Sequence, residues 1–330
     1  MITSTKNEWV IRTKALLENR ERRERGLFLL EGDKLLEEAL GAGLRFAWAL
    51  VDPDWERARP ALAAELRRIA APERQESAAD EATERGRETA AENRYGAGSP
   101  AVSGRAIDGG RPWTTGQTKE EPGYGAGSGA PLEKRGASSA TEAAPRILAA
   151  ERRVIAAATG LKAPQGIAAV FHMPEQRLRL QAGGLYVALD GIQDPGNLGT
   201  VLRTCDALAL DGALLSPACA DPFSLKSLRG GMGAAFRVRI LRGELAPLLR
   251  EAKERGLAVI AGDLGAPDFF ARGPLPGGAV LAVGSEGRGV SAEVRMEAQA
   301  YSLPMPGEAE SLNAAVAAGI MLYDLWRNRA

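Results

Sequence analysis

Histidine occurs once in the 330 residues, as His172, and cysteine twice, as Cys205 and Cys219. One imidazole makes histidine-based acid/base chemistry nearly impossible. Three such side chains supply neither a Cys/His zinc site nor a disulfide framework, so no metal is expected. Aromatic residues are scarce at 5%. Net charge is also lacking, since 42 basic residues balance 42 acidic ones, and a polyanionic partner would have to be held by a local basic patch. No run approaches the roughly 18–20 apolar residues of a membrane span, and the stretch from Met1 to Trp9 is polar without an apolar signal core. These absences predict a cytoplasmic enzyme or binding protein with no membrane partner. What remains is the balance of a globular chain, 45% hydrophobic and 25% charged, long enough at roughly 150 residues per domain for two domains.

The segment from Glu73 to about Arg146 is built of Ala, Gly, Ser, Thr, Glu and Arg with few large aliphatic residues. It cannot bury enough apolar surface to offset its ordering entropy, and predicts a flexible insertion. Within it Tyr95-Gly96-Ala97-Gly98-Ser99 recurs as Tyr124-Gly125-Ala126-Gly127-Ser128, a short duplication common in low-complexity segments. Before it, spacing predicts helices over 8–19, 33–42 and 61–69 and strands over 26–30 and 46–51. After it come a helix over 151–159 and a strand over 166–171. One small α/β domain, 1–174, interrupted at about 73–146, is implied. The polar stretch 175–184, ending in Gly183-Gly184, predicts a linker. From Leu185 apolar strands at 185–189, 212–215, 237–241, 258–261 and 279–283 alternate with helices over 199–208 and 245–255, which indicates a parallel sheet covered on both faces. A mostly apolar helix over 312–327 ends the chain and suits either the core or a dimer interface.

In an open parallel sheet, ligands gather at the carboxyl ends of the strands, which singles out three loops. The first, Asp190 to Thr204, contains the turn Asp194-Pro195-Gly196, then Asn197, a candidate helix cap, and Arg203 inside an otherwise apolar helix. Turn and cap account for the Pro, Gly and Asn but not for the arginine. The second, Gly284-Ser285-Glu286-Gly287-Arg288-Gly289, has glycines that permit close backbone approach and a carboxylate at Glu286. It is neither a dinucleotide fingerprint nor a phosphate-binding Walker loop, which removes a nicotinamide-dependent oxidoreductase from consideration. The third runs Leu303-Pro304-Met305-Pro306-Gly307 and then Glu310-Ser311-Leu312-Asn313. Here Ser311 or Asn313 is a candidate cap for the last helix.

Taken together, D-P-G-N-L-G-T-x-x-R-T, G-x-E-G-x-G and P-M-x-G-x-x-E-S-L-N, in that order, resemble the three motifs of the SpoU/TrmH family of RNA ribose 2'-O-methyltransferases. The likeness covers 184–330. A looser likeness at Ile2-Thr3-Ser4, Asn7 and Phe28-Leu29-Leu30-Glu31-Gly32 is to the family's small amino-terminal SpoU substrate-binding domain, from which the insertion departs. The resemblance implies an α/β chain with a trefoil-knotted parallel-sheet (SPOUT-type) catalytic domain at 185–330, S-adenosylmethionine in the knot, and a homodimer that completes the site. Carried over by position, Gly284, Leu303, Met305 and Leu312 would contact the cofactor, while Asn197, Arg203, Glu286, Ser311 and Asn313 would form the catalytic cluster. The chain departs from the family at Cys205, where Ala is usual, and at Ala209, where Gly is common.

Methyl transfer needs a ribose hydroxyl whose proton is shared or removed as it attacks. Deprotonating a guanidinium at neutral pH costs on the order of 8 kcal/mol. Two roles for Arg203 therefore stand: a desolvated base, or a cation that grips a phosphate and steadies the alkoxide while water, Ser311 or Glu286 takes the proton. Between Pro222 and Gly243 lie Lys226, Arg229, Arg237, Arg239 and Arg242 with no acidic residue, a patch suited to a phosphate backbone, with Lys226, Arg229 and Arg237 as candidate RNA contacts. Arg20, Arg22, Arg23 and Arg25, interleaved with Glu21 and Glu24, suggest a solvated turn. Ribosomal RNA is the favoured substrate. Transfer RNA is the alternative, and a non-catalytic RNA-binding or ribosome-assembly protein is the reading from another class.

Overall fold

A computed structural model of the chain describes residues 1–71, 145–176, 178–275 and 277–328. The insertion expected at 73–146 lies outside these residues except at its very end, where Arg146 opens a strand. The amino-terminal part runs α1 (Glu8–Ala15), α2 (Asn19–Arg25), β1 (Leu27–Glu31), α3 (Asp33–Gly41), β2 (Phe46–Val51), α4 (Pro53–Ala58), α5 (Pro60–Ala70), β3 (Arg146–Ala149), α6 (Arg152–Thr159) and β4 (Ile167–His172). Its four strands are ordered β1-β4-β2-β3, with β4 antiparallel to both neighbours and β3 parallel to β2. The helix expected over 8–19 stops at Ala15, and the charged stretch after it forms α2, closed by Gly26 at φ 63°. The arginine cluster is thus helical rather than a solvated turn. Arg22 on it is buried, donating to Asp221 at 2.7 Å and to the carbonyls of Leu16 and Leu17 at 2.8 Å.

The second part runs β5 (Leu185–Asp190), α7 (Pro195–Ala207), β6 (Gly212–Leu215), α8 (Leu225–Gly231), β7 (Ile240–Arg242), α9 (Leu245–Glu254), β8 (Ala258–Gly262), β9 (Ala279–Gly284), α10 (Ala292–Glu297), β10 (Gln299–Tyr301) and α11 (Ala314–Arg327). Its six strands are all parallel, ordered β10-β8-β9-β5-β6-β7. Apolar residues fill both faces of β5 and β9, as a sheet covered on two sides requires. From β5 the chain builds outward through β6 and β7, then returns through β8 to place β9 on the other side of β5. That reversal is a switch point, where the crevice between carboxyl ends opens. In register, Asp190 of β5 lies beside Gly284 of β9, so the first and second loops emerge together. After β10 at the sheet edge, residues 302–313 come back toward the centre, and α11 packs on α7, β9 and β5.

Three boundaries differ from expectation for local reasons. Helix α7 begins four residues early, because Asp194 caps it by accepting from the Asn197 amide at 2.9 Å and Pro195 occupies the first turn. Strand β7 starts at Ile240 because 234–236 is a 3-10 turn closed by Arg237. Helix α11 starts at Ala314, capped by Asn313. The stretch expected as a linker is packed: Leu178 and Leu180 are buried, and the Gln176 side chain accepts from the Ile240 amide at 2.8 Å. One hydrophobic cluster runs through both sheets, with the Phe28 ring 5.3 Å from Phe223 and 5.5 Å from Phe236. Among the described residues no helix is long and apolar enough to cross a membrane.

Candidate active site

The site is built at the carboxyl ends of β5, β8 and β9. The Asp190 carboxylate accepts from the Ser291 amide at 2.7 Å, tying the first loop to the segment that follows the second. Gly284 is required by backbone crowding, since a Cβ there would sit 1.9 Å from the Gly289 carbonyl carbon and 2.2 Å from the Val290 nitrogen. The tight turn from Ser285 to Gly289, closed by the Gly289 amide donating to Ser285 at 2.8 Å, lifts Glu286 into solvent. Asn197 lies in the first turn of α7 and not at its cap, which leaves its side chain available.

Three of the five expected catalytic residues meet. Asn197 donates its side-chain amide to Glu286 Oε1. Asn313 donates to Asn197 Oδ1 at 3.1 Å and to Glu286 Oε1 at 3.4 Å. The Asn313 Oδ1 at the same time accepts from the amides of Ala315 and Val316, so one side chain both caps α11 and joins the cluster. Residues 89 and 116 positions from Asn197 in sequence are thereby locked to it. Asp194, the cap of α7, is paired with Lys226 at 2.6 Å. The Lys226 ammonium and the Asn197 amide hold its carboxyl below the usual range, so the cap persists at neutral pH.

The other two stand apart from this cluster. Ser311 lines the neighbouring cleft but makes no hydrogen bond among the described residues. Arg203 is exposed on α7, six residues beyond Asn197 and about 9 Å along the axis, with no side-chain hydrogen bond or ion pair among the described residues. Cys205, two positions on, faces the core, and burial pushes its thiol up to about 12. It is a neutral packing residue.

All four expected cofactor residues, Gly284, Leu303, Met305 and Leu312, line one cleft together with Ser311 and with Glu286, which joins the cleft to the cluster. The same cleft is lined by Gly262, Asp263 and Met321, which the motifs do not include. Asp263 is held by Arg295 at 2.8 Å. Its signal in the sequence was positional: it follows a parallel strand at the carboxyl end, as the other two loops do. The lining combines apolar surface from Leu303, Met305, Leu312 and Met321 with two carboxylates, Asp263 and Glu286. Such a set fits a ligand with a flat apolar moiety and a positive charge. Among the described residues no group of His, Cys, Asp or Glu is placed to hold a metal ion.

The expected RNA contacts differ in their commitments. Arg237 is engaged with Asp206, at 3.1 and 3.2 Å from Nε and 2.7 Å from Nη2, and with Glu38. Arg242 donates to the carbonyls of Pro217, Cys219 and Ala220. Lys226 keeps 65% of its side chain exposed beside Asp194. Arg229 is exposed and has no ion pair among the described residues.

Residues 184–323 match the model of the SpoU rRNA methylase family, and residues 7–86 match that of an MRM3-like substrate binding domain. The 23S rRNA (guanosine(2553)-2'-O)-methyltransferase RlmP of Bacillus subtilis (strain 168) is 42% identical over 173 residues, which cover 51% of this chain and 68% of that protein. An uncharacterized tRNA/rRNA methyltransferase of Mycobacterium avium (strain 104) is 36% identical over 206 residues, covering 58% of this chain and 65% of that one. The chain thus spans about two thirds of the length of these curated relatives. Among solved structures, an AdoMet-bound rRNA methyltransferase from Sinorhizobium meliloti is similar over 99% of this chain and 97% of its own, with a TM-score of 0.66 and 27% identity.

Proposed function

The chain belongs to the SpoU rRNA methylase family, and from that premise we propose that it methylates a ribose 2'-hydroxyl of ribosomal RNA with S-adenosylmethionine as donor. The observation that carries this is that residues of the second and third motifs line one cleft, while Asn197 of the first is hydrogen-bonded to Glu286 and Asn313 beside it. When bound, S-adenosylmethionine supplies an electrophilic methyl group on a sulfonium. Leu303, Met305 and Leu312 would hold its apolar part, the backbone at Gly284 would approach it, and the carboxylates of Glu286 and Asp263 would offset its positive charge. The amides of Asn197 and Asn313 fix Glu286 through Oε1, leaving Oε2, which accepts no hydrogen bond among the described residues, to take the ribose proton. Deprotonating a guanidinium is costly, and no side chain among the described residues hydrogen-bonds Arg203. It acts as a cation, gripping the adjacent phosphate and stabilising the developing alkoxide. Ser311, at the wall between cleft and cluster, orients the ribose.

Residues 1–174 select the RNA and 185–330 perform the transfer, joined through 175–184. The passage of 302–313 back over the sheet is the stretch we assign to the threaded part of a trefoil knot. A homodimer completes the site: Val316, Ile320, Tyr323 and Trp326 form an exposed apolar stripe on α11. Helix α11 approaches α7 at Thr204, next to Arg203, so a second copy seated on the stripe reaches the arginine. An RNA substrate of this kind places the enzyme in the cytoplasm.

Isothermal titration of S-adenosylmethionine, with methyl transfer to unmodified ribosomal and transfer RNA transcripts assayed in parallel, tests the proposal. Leu312→Arg is expected to abolish cofactor binding. Arg203→Ala is expected to bind the cofactor as the wild type does and to lose at least about 100-fold in turnover. The methylated linkage should resist alkaline hydrolysis. Near wild-type turnover in Arg203→Ala would remove the arginine from the mechanism, and a folded protein that binds no cofactor would remove the enzyme.

A further inference from the structure

A second groove, separate from the cofactor cleft and touching the first motif only at Pro195, lies between the two parts of the chain. Leu17 and Leu161 contribute from the amino-terminal side, and Pro195, Leu225, Lys226 and Arg229 from the other. Among the described residues no acidic side chain lines it. Pro195, the first residue of α7 and two positions before Asn197, is one of its lining residues, which puts the groove next to the catalytic helix.

Arg237 and Arg242 are held by carboxylates and carbonyls, whereas Arg229 is exposed, makes no ion pair among the described residues and acts on the buried Glu31 only through its charge. Lys226 reaches Asp194, but an ion pair this exposed is worth little and exchanges readily for another anion. Exposed positive charge beside the apolar surface of Leu17, Leu161 and Leu225 is the chemistry of a single nucleic-acid strand, whose phosphates bind cations and whose bases offer apolar faces.

Resting on the function proposed above, we infer that this groove carries the unpaired RNA strand flanking the target nucleotide, with a phosphate on Arg229 and Lys226 and a base face on Leu161 and Leu17. RNA methylated at a ribose must present that sugar unstacked, and splayed single strands are what proteins read in RNA. Because the floor comes from both parts of the chain, the amino-terminal part shares physically in choosing the substrate.

The test is filter binding of unmodified large-subunit ribosomal RNA transcript across a salt series, with S-adenosylmethionine titration on the same preparations. Arg229→Ala should weaken RNA binding about tenfold and lower the slope of log affinity against log salt by about one. Leu161→Asp should weaken binding by a similar factor. Both should bind the cofactor as the wild type does, and Arg255→Ala, an exposed cation outside the groove paired only with Glu251, should bind RNA normally. Unchanged RNA affinity in Arg229→Ala and Leu161→Asp, with a wild type that binds and methylates the transcript, overturns the groove alone. Conversion of a dimer to monomers by Leu161→Asp makes the groove a subunit contact and also overturns it. A wild type that binds cofactor but neither binds nor methylates RNA overturns the function on which the groove rests.

Discussion

Ala209 follows α7 with φ +48°, in the left-handed region where a Cβ costs about 1 kcal/mol relative to glycine. It is exposed, so nothing in its packing compensates. Ala209→Gly should therefore raise stability by about 0.5–1 kcal/mol, less whatever the freer unfolded chain takes back, and an unchanged or lowered melting temperature would contradict that. Composition does not distinguish this alanine from any other; it stood out only as a departure from the family's usual glycine. Asn197, Glu286 and Asn313 were legible as candidates for the same reason, since each sits in a motif after a parallel strand. Asp263 was passed over, because its place after a parallel strand was its sole signal and no motif surrounds it. Arg22 was misjudged because an arginine among charges normally faces solvent, whereas Asp221, 199 positions away, together with the carbonyls of Leu16 and Leu17 makes its burial tolerable.

Elements with long apolar runs were the readable ones. Strand β2 spans 46–51 as expected, and β1, β4, β5 and β9 differ by one residue at most at either end. Those missed are short or lack periodicity: β3 has four residues beside a low-complexity segment, β10 has three, and α8 has seven, two of them glycines. Yet α8 is the element that sets Lys226 and Arg229 beside the catalytic helix. Its glycines fit that crossing, since a Cβ on Gly231 would lie 3.0 Å from the Gly199 carbonyl oxygen, and in return a Cβ on Gly199 of α7 would lie 2.3 Å from the Ser227 carbonyl oxygen and 2.7 Å from the Gly231 nitrogen. Backbone cannot yield as a side chain can, so Gly199→Ala must push α8 away. We expect a loss of about 1–3 kcal/mol in urea unfolding, with RNA affinity reduced and S-adenosylmethionine affinity kept. Retained RNA affinity in the destabilised variant would separate the position of α8 from substrate binding.

At the scale of the molecule, the two sheets are held by contacts that no local pattern announces. Phe28 stacks toward Phe223 and Phe236, Arg22 is buried against Asp221, and Arg237 joins Asp206 on α7 to Glu38 on α3. Glu38 is further paired with Lys34 at 2.9 Å, and these cations hold its carboxyl below the usual range. The sequence offered Arg237 as an RNA contact because no acid stands near it in the chain; the acids come from 31 and 199 positions away. If Arg237 is a clamp between the parts, its removal and the removal of its partners must be coupled. Arg237→Ala and Asp206→Asn should each lower stability, with a coupling of about 1 kcal/mol in the double-mutant cycle, the scale of a partly exposed charge network. The salt dependence of RNA binding should keep its slope in Arg237→Ala, since no phosphate contact is lost. Additive stabilities together with a slope reduced by about one would instead return Arg237 to the RNA surface and leave the shared hydrophobic cluster and Arg22 to orient the two sheets.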